Sequence, residues 1–89
     1  MKSPKVYVAV NVLFTEEGLM RPRSLVWEDG CEYAIDKVKD IRPAHAAKAG
    51  GQGDRYTIMV NGQERYIFFE HNPEYGHKHV GRWFCERQQ

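Results

Sequence analysis

Three of the chain's four histidines, His71, His77 and His79, fall in one polar stretch. In an extended segment His77 and His79 project to the same side, the arrangement of a two-imidazole metal contact, and Glu70 and Glu74 could complete a ligand set. Two features weigh against it. Structural zinc usually takes four ligands with a cysteine or carboxylate among them, and Lys78 would place an ammonium beside the cation. The stretch therefore reads first as a solvated loop, with a metal-binding protein built on His71, His77 and His79 as the sharper alternative. No cofactor is expected.

Nucleophilic chemistry needs a thiol or hydroxyl next to a base. Cys85 with His79 is one such pairing, but Cys85 alternates with Phe84 in a strand-like segment, where a thiol acts as a small hydrophobe. There is no His-Glu-x-x-His and no Gly-x-Ser-x-Gly, and Gly50, Gly51 and Gly53 lack the strand-to-helix context and following lysine of a phosphate loop. The carboxylates Glu16-Glu17, Glu28-Asp29 and Asp54 lie in turns, where they serve turn geometry and solvation rather than acid–base work. The expectation is a protein that is not an enzyme.

Recognition chemistry is better represented. Arg55, Thr57, Tyr66 and Phe68 fall on one side of a hairpin, mixing cations with rings that could stack on bases while the cations hold phosphates. Residues 37–55 carry Lys37, Lys39, Arg42, Lys48 and Arg55 against only Asp40 and Asp54. This local excess makes Arg42, Lys48, Arg55, Thr57, Tyr66 and Phe68 the candidate ligand-binding set. The competing reading makes Tyr66 and Phe68 a wall of the core and the cations a solvated rim. Trp27 and Trp83, each beside a charged residue, are candidate partner-binding anchors, with core packing as the plainer outcome.

The elements that must position these residues are strands. Val6, Val8, Val10, Val12 and Phe14 recur at period two, which predicts a central strand buried on that face. Glu16-Glu17-Gly18 turns the chain into a second strand, about Met20 to Trp27, in which Pro22 argues for an edge or for pairing that starts near Arg23. A two-residue Asp29-Gly30 loop would set Val26 opposite Tyr33 and Arg23 opposite Asp36. The third strand, Cys31 to about Ile41, loses alternation after Ile35. A bulge or bend near Asp36-Lys37 is the simplest cause, with a helical turn at Lys37–Ile41 as the alternative.

From Ala44 to Gly53 the alanines and glycines predict a mobile loop with at most one short helical turn at Pro43–Lys48. Asn61-Gly62, between Arg55–Val60 and Gln63–Glu70, is the strongest local signal, because both positions of a type I′ turn need positive φ. Its register puts Tyr56, Ile58, Val60, Ile67 and Phe69 on the core face and Arg55, Thr57, Met59, Tyr66 and Phe68 on the other. A polar loop, His71–Gly81, leads to a last strand, Arg82–Arg87, with Trp83 and Cys85 on one face and Phe84 on the other. The predicted fold is all-β: a small six-stranded antiparallel barrel or strongly bent sheet, comparable to SH3-like and OB-like barrels.

A chain of 89 residues supports one core, so residues 1–89 are expected to form a single small β domain. Its formal net charge of +1 supplies no global field toward nucleic acid or membrane, and any such contact must be local. Two cysteines, Cys31 and Cys85, are too few for a disulfide framework and read as reduced thiols. The apolar run from Val6 to Phe14 is β-branched, broken by Asn11 and followed by Glu16-Glu17, which favours a strand over a signal peptide. No membrane span is expected, since none of the apolar runs approaches about 18 residues. A cytoplasmic location follows.

Leu25-Val26-Trp27-Glu28-Asp29-Gly30, then Tyr33-Ala34-Ile35-Asp36, and later Tyr66-Ile67-Phe68-Phe69-Glu70 with Arg82-Trp83-Phe84, resemble small uncharacterised bacterial proteins of clostridial type over most of the chain. The resemblance implies a stand-alone bacterial cytoplasmic domain and carries no activity or ligand with it. The functional expectation is a non-catalytic binding module that contacts single-stranded nucleic acid or an acidic partner. A protein-interaction adaptor or small homodimer is the alternative.

Overall fold

The computed structural model describes residues 5–46, 51–71 and 81–86, and every regular element in them is a strand. These are β1 (Lys5–Phe14), β2 (Met20–Val26), β3 (Glu32–Ala34), β4 (Lys37–Ala46), β5 (Gly51–Val60), β6 (Gln63–Glu70) and β7 (Arg82–Glu86). They form one antiparallel sheet in the order β3-β2-β1-β7-β6-β5-β4, curled into a half-barrel. Among the described residues no helix is long and apolar enough to cross a membrane.

The curl follows from a two-residue corner. β3 and β4 are consecutive in the chain yet lie at opposite ends of the strand order, joined by Ile35 and Asp36 alone. The Ile35 amide donates to the Arg23 carbonyl beside β2, and the Asp36 amide donates to the Met59 carbonyl of β5. One extended segment thus pairs with β2 through its first part and with β5 through its second, which brings the two edges of the sheet together. The bend expected near Asp36-Lys37 is present one residue earlier. It divides the anticipated third strand in two, so seven strands appear where six were expected.

Three tight turns set the registers. Asn61 (φ 52°) and Gly62 (φ 74°) both occupy the left-handed region, and β5 meets β6 with Val60 opposite Gln63 and Tyr56 opposite Ile67, the register the sequence predicts. The other two turns share one grammar. In Thr15-Glu16-Glu17-Gly18-Leu19 the Gly18 amide donates to the Thr15 carbonyl and the Thr15 amide to the Leu19 carbonyl. Trp27, Gly30 and Cys31 repeat this pattern, with Gly30 at φ 84°. Both are three-residue loops ending in a left-handed glycine. The two-residue Asp29-Gly30 loop is therefore corrected: Leu25, not Val26, faces Tyr33, and Arg23 meets Ile35 rather than Asp36.

β1 has a neighbour on each side, β2 and β7, as its apolar content predicts. Val6, Val8, Val10 and Val12 point inward, but Phe14 is 61% exposed because the strand outruns its cover there. Between Asn11 and Val12 the register with β2 shifts, leaving Arg23 as the extra residue next to Pro22. Pro22 pairs only with β1, since β3 reaches no further than Ser24, and so its missing amide breaks no second ladder.

The glycine- and alanine-rich segment departs most from expectation. Residues 43–46 continue β4 and residues 51–53 begin β5, paired from Pro43↔Asp54 to Ala46↔Gly51, where a loop or helical turn was predicted. Pro43 is tolerated because β4 is an edge in the strand order. Gly53 is required there: a Cβ at this position would stand 2.1 Å from the Phe69 carbonyl oxygen.

Inside the curl, Leu25, Tyr56, Ile58, Ile67, Phe69 and Trp83 make the core, with Ile58 fully buried. Tyr56 and Trp83 meet edge-on at 4.9 Å between centroids, and Phe69 tilts against Trp83 at 5.0 Å. The outer face carries its own apolar pair. Phe68 and Phe84 stack at 5.0 Å with only 10° between ring planes, and Phe84 has no exposed surface.

Candidate functional site

The outer face is organised by one row of directly opposed residues: Tyr7 on β1, Phe84 on β7, Phe68 on β6, Arg55 on β5 and Arg42 on β4. Four strand spacings of about 4.8 Å make the row roughly 19 Å long. Its centre is hydrophobic and closed, and its ends are cationic.

At the β5–β6 end the Arg55 guanidinium lies 4.6 Å from the centroid of the Tyr66 ring, its diagonal neighbour, while Tyr66 is 47% exposed. The Arg55 Nε is buried and has no hydrogen-bond partner among the described residues. At the β1–β7 end the Arg82 guanidinium lies 3.3 Å from the centroid of the Tyr7 ring, again a diagonal pair, and Tyr7 is 38% exposed. Neither arginine is ion-paired among the described residues, whereas Arg42 bonds Asp40 at 2.7 Å and Lys39 bonds Glu64 at 2.9 Å. The local basic excess is thus partly neutralised on β4 and left open on Arg55, and Arg82 adds a second open guanidinium on β7.

Between the two ends sits a buried carboxylate. Glu70 is 8% exposed, accepts a 2.7 Å bond from the Lys5 ammonium and a 2.9 Å bond from the Tyr7 hydroxyl. Lys5 also lies 4.7 Å from the Phe84 centroid, covering that ring. Burial pulls the Lys5 ammonium down, but the hydrogen bond and charge of Glu70 outweigh it and hold its pKa above the ordinary value.

Of the ligand-binding residues expected from sequence, Arg55 and Tyr66 come together and Arg42 follows in the same row. Lys48 lies outside the described residues. Thr57 and Phe68 are corrected: both are on the expected face, but at 7% and 4% exposure they present no surface for a ligand, because Phe68 is covered by its stack with Phe84. Trp83 is likewise a core residue and cannot anchor a partner, while Trp27 is half-buried at the open end of the curl. His71 is exposed, and His77 and His79 lie outside the described residues. Among the described residues no group of three His, Cys, Asp or Glu side chains is placed to hold a metal. Cys31 and Cys85 are both free thiols, the first exposed.

Sequence reasoning missed Arg82, Tyr7, Lys5 and Glu70 as one cluster. Lys5 and Tyr7 lie 65 and 63 residues from Glu70, so only the pairing of β1 with β7 unites them. A signal existed for half of it, since the Trp83/Phe84 alternation already puts Arg82 on the face of Phe84. No family model, curated protein or solved structure matches this chain.

Proposed function

We propose that the chain is a non-catalytic binding module that contacts single-stranded nucleic acid along its outer face. The observation that carries this reading is the pair of guanidiniums, Arg55 and Arg82, each laid over a half-exposed tyrosine and each without an acidic partner among the described residues. Guanidinium planes and tyrosine rings are the groups on which bases stack, and an uncompensated guanidinium is a phosphate donor. Arg42, directly opposite Arg55, extends the cationic end. Two free cysteines fit a reducing compartment, and the cytoplasm is the location this reading takes.

The test is fluorescence anisotropy of a labelled oligothymidylate at increasing salt. Binding should weaken steeply with salt, and R55A combined with R82A should lower affinity at least tenfold and flatten the log–log salt slope by roughly 1.4, at about 0.7 per phosphate contact on a single strand. Absence of saturable binding at low salt, or an unchanged slope in the double variant, would overturn the proposal.

A further inference from the structure

The curl is open at one end, and the opening has a structural cause. β6 and β7 pair only from Phe68↔Phe84 to Glu70↔Arg82, while Cys85 and Glu86 stay paired with β1. Beyond Phe68 the two strands part, and the cavity between them has a volume of about 880 Å³. This is within the range of small-molecule sites, which favour the mouths of barrels.

Half-buried Trp27 and Tyr33 from the β2–β3 hairpin face Val60 from the β5–β6 hairpin above a floor of buried Leu25, Ile58 and Ile67, and polar residues line the rest. Tyr33 is fixed by donating its hydroxyl to Asp29 at 3.1 Å. Amid this lining stands a cation. Arg65 is directly opposite Ile58 and so belongs to the concave side. It is exposed, donates to the neutral Gln63 amide oxygen, and forms no ion pair among the described residues. Two acids share the lining: Glu64 is bound to Lys39, and Glu86 has an interaction of its own. A hollow with apolar surface and a guanidinium at its lip that forms no ion pair among the described residues complements a molecule with an apolar body and one negative end.

We propose that this mouth binds a small amphipathic carboxylate, its hydrocarbon body between Trp27 and Val60 and its carboxylate on Arg65. The proposal does not depend on the outer-face reading, although Tyr66 belongs to both linings. Sodium decanoate, decylamine and decanol, each below its aggregation concentration, are titrated into the protein by calorimetry and by following the Trp27 indole N–H by NMR. Decanoate should bind at least tenfold more tightly than decylamine and shift the Trp27 resonance, and R65Q, a change at an exposed position, should abolish that preference. W27A should weaken decanoate and decanol alike. Equal binding of the three amphiphiles, an unchanged decanoate affinity in R65Q, or no saturable binding would overturn the proposal. So would exclusive binding of a blocked, valine-alternating pentapeptide with protection of the amides of residues 64–67, since that occupant would be using the open backbone edge of β6.

Discussion

Glu70 shows how a carboxylate can be held in a sheet face with little access to water. It is bonded by both Lys5 and Tyr7, and the cost of desolvating it is offset only while both donors are present. E70Q should therefore destabilise the protein by about 1–3 kcal/mol, because it removes the charge that the Lys5 ammonium bonds at 2.7 Å. The check is the urea midpoint at constant m-value, with K5M in the E70Q background recovering part of the loss. F84A should cost more, about 3–5 kcal/mol, since Phe84 is fully buried and its removal unroofs Phe68. Legibility at this scale was uneven. Ile58 was readable from alternation alone, whereas alternation with Trp83 puts Phe84 on the outer face and does not foretell its burial there. Arg65 was also readable, because the Asn61-Gly62 register puts it on the core face with Ile58, yet a charge at such a position is easily assigned to solvent. Glu70 was not readable, because its partners come from a strand far away in the chain.

At the level of elements, the turns with positive φ are the surest guides. Gly62 sits at φ 74°, and an L side chain there is strained, so G62A should cost about 1–2 kcal/mol, whereas N61G should change stability by only a few tenths. Thermal unfolding of the two variants measures the contrast. The β5–β6 register was legible because a two-residue turn fixes it unaided. The β2–β3 register was misjudged by one residue because Asp-Gly serves two-residue and three-residue loops equally well, and the choice was made by Trp27 and Cys31 bonding across the turn. Residues 43–46 and 51–53 were misread for a different reason: their composition is that of a loop, and their strand character comes from pairing with each other across β4 and β5. G53A tests this directly. A Cβ there would run into the Phe69 backbone, so the variant should lose slowed amide exchange along β5 and β6 while leaving the β1–β2 hairpin protected.

For the whole molecule, stability should decline in alkali. Burial pushes the Cys85 thiol up to about 12 from 9.0, burial and then Asp54 raise the Tyr56 hydroxyl above 10.0, and Glu70 overcomes burial to raise Lys5 above 10.5. In each case the folded state keeps a proton that the unfolded chain releases. Stability is therefore complete below the unfolded value and is lost as pH rises toward the folded one. Urea midpoints should fall progressively from pH 9.0 upward, and C85V should remove the earliest part of that decline. The all-β class and the strong bend were legible from period two and from the break after Ile35, but the open mouth was not, because it arises where two long-separated strands cease to pair. The β1–β7 seam has one more consequence. Every other pairing joins strands adjacent in the chain, whereas this one brings Val6 to Cys85 and must meet the full entropy of closing that long loop. The hairpins should collapse first and the seam should zip last, so V6A should leave the refolding rate nearly unchanged and speed unfolding about fivefold for each 1 kcal/mol it costs.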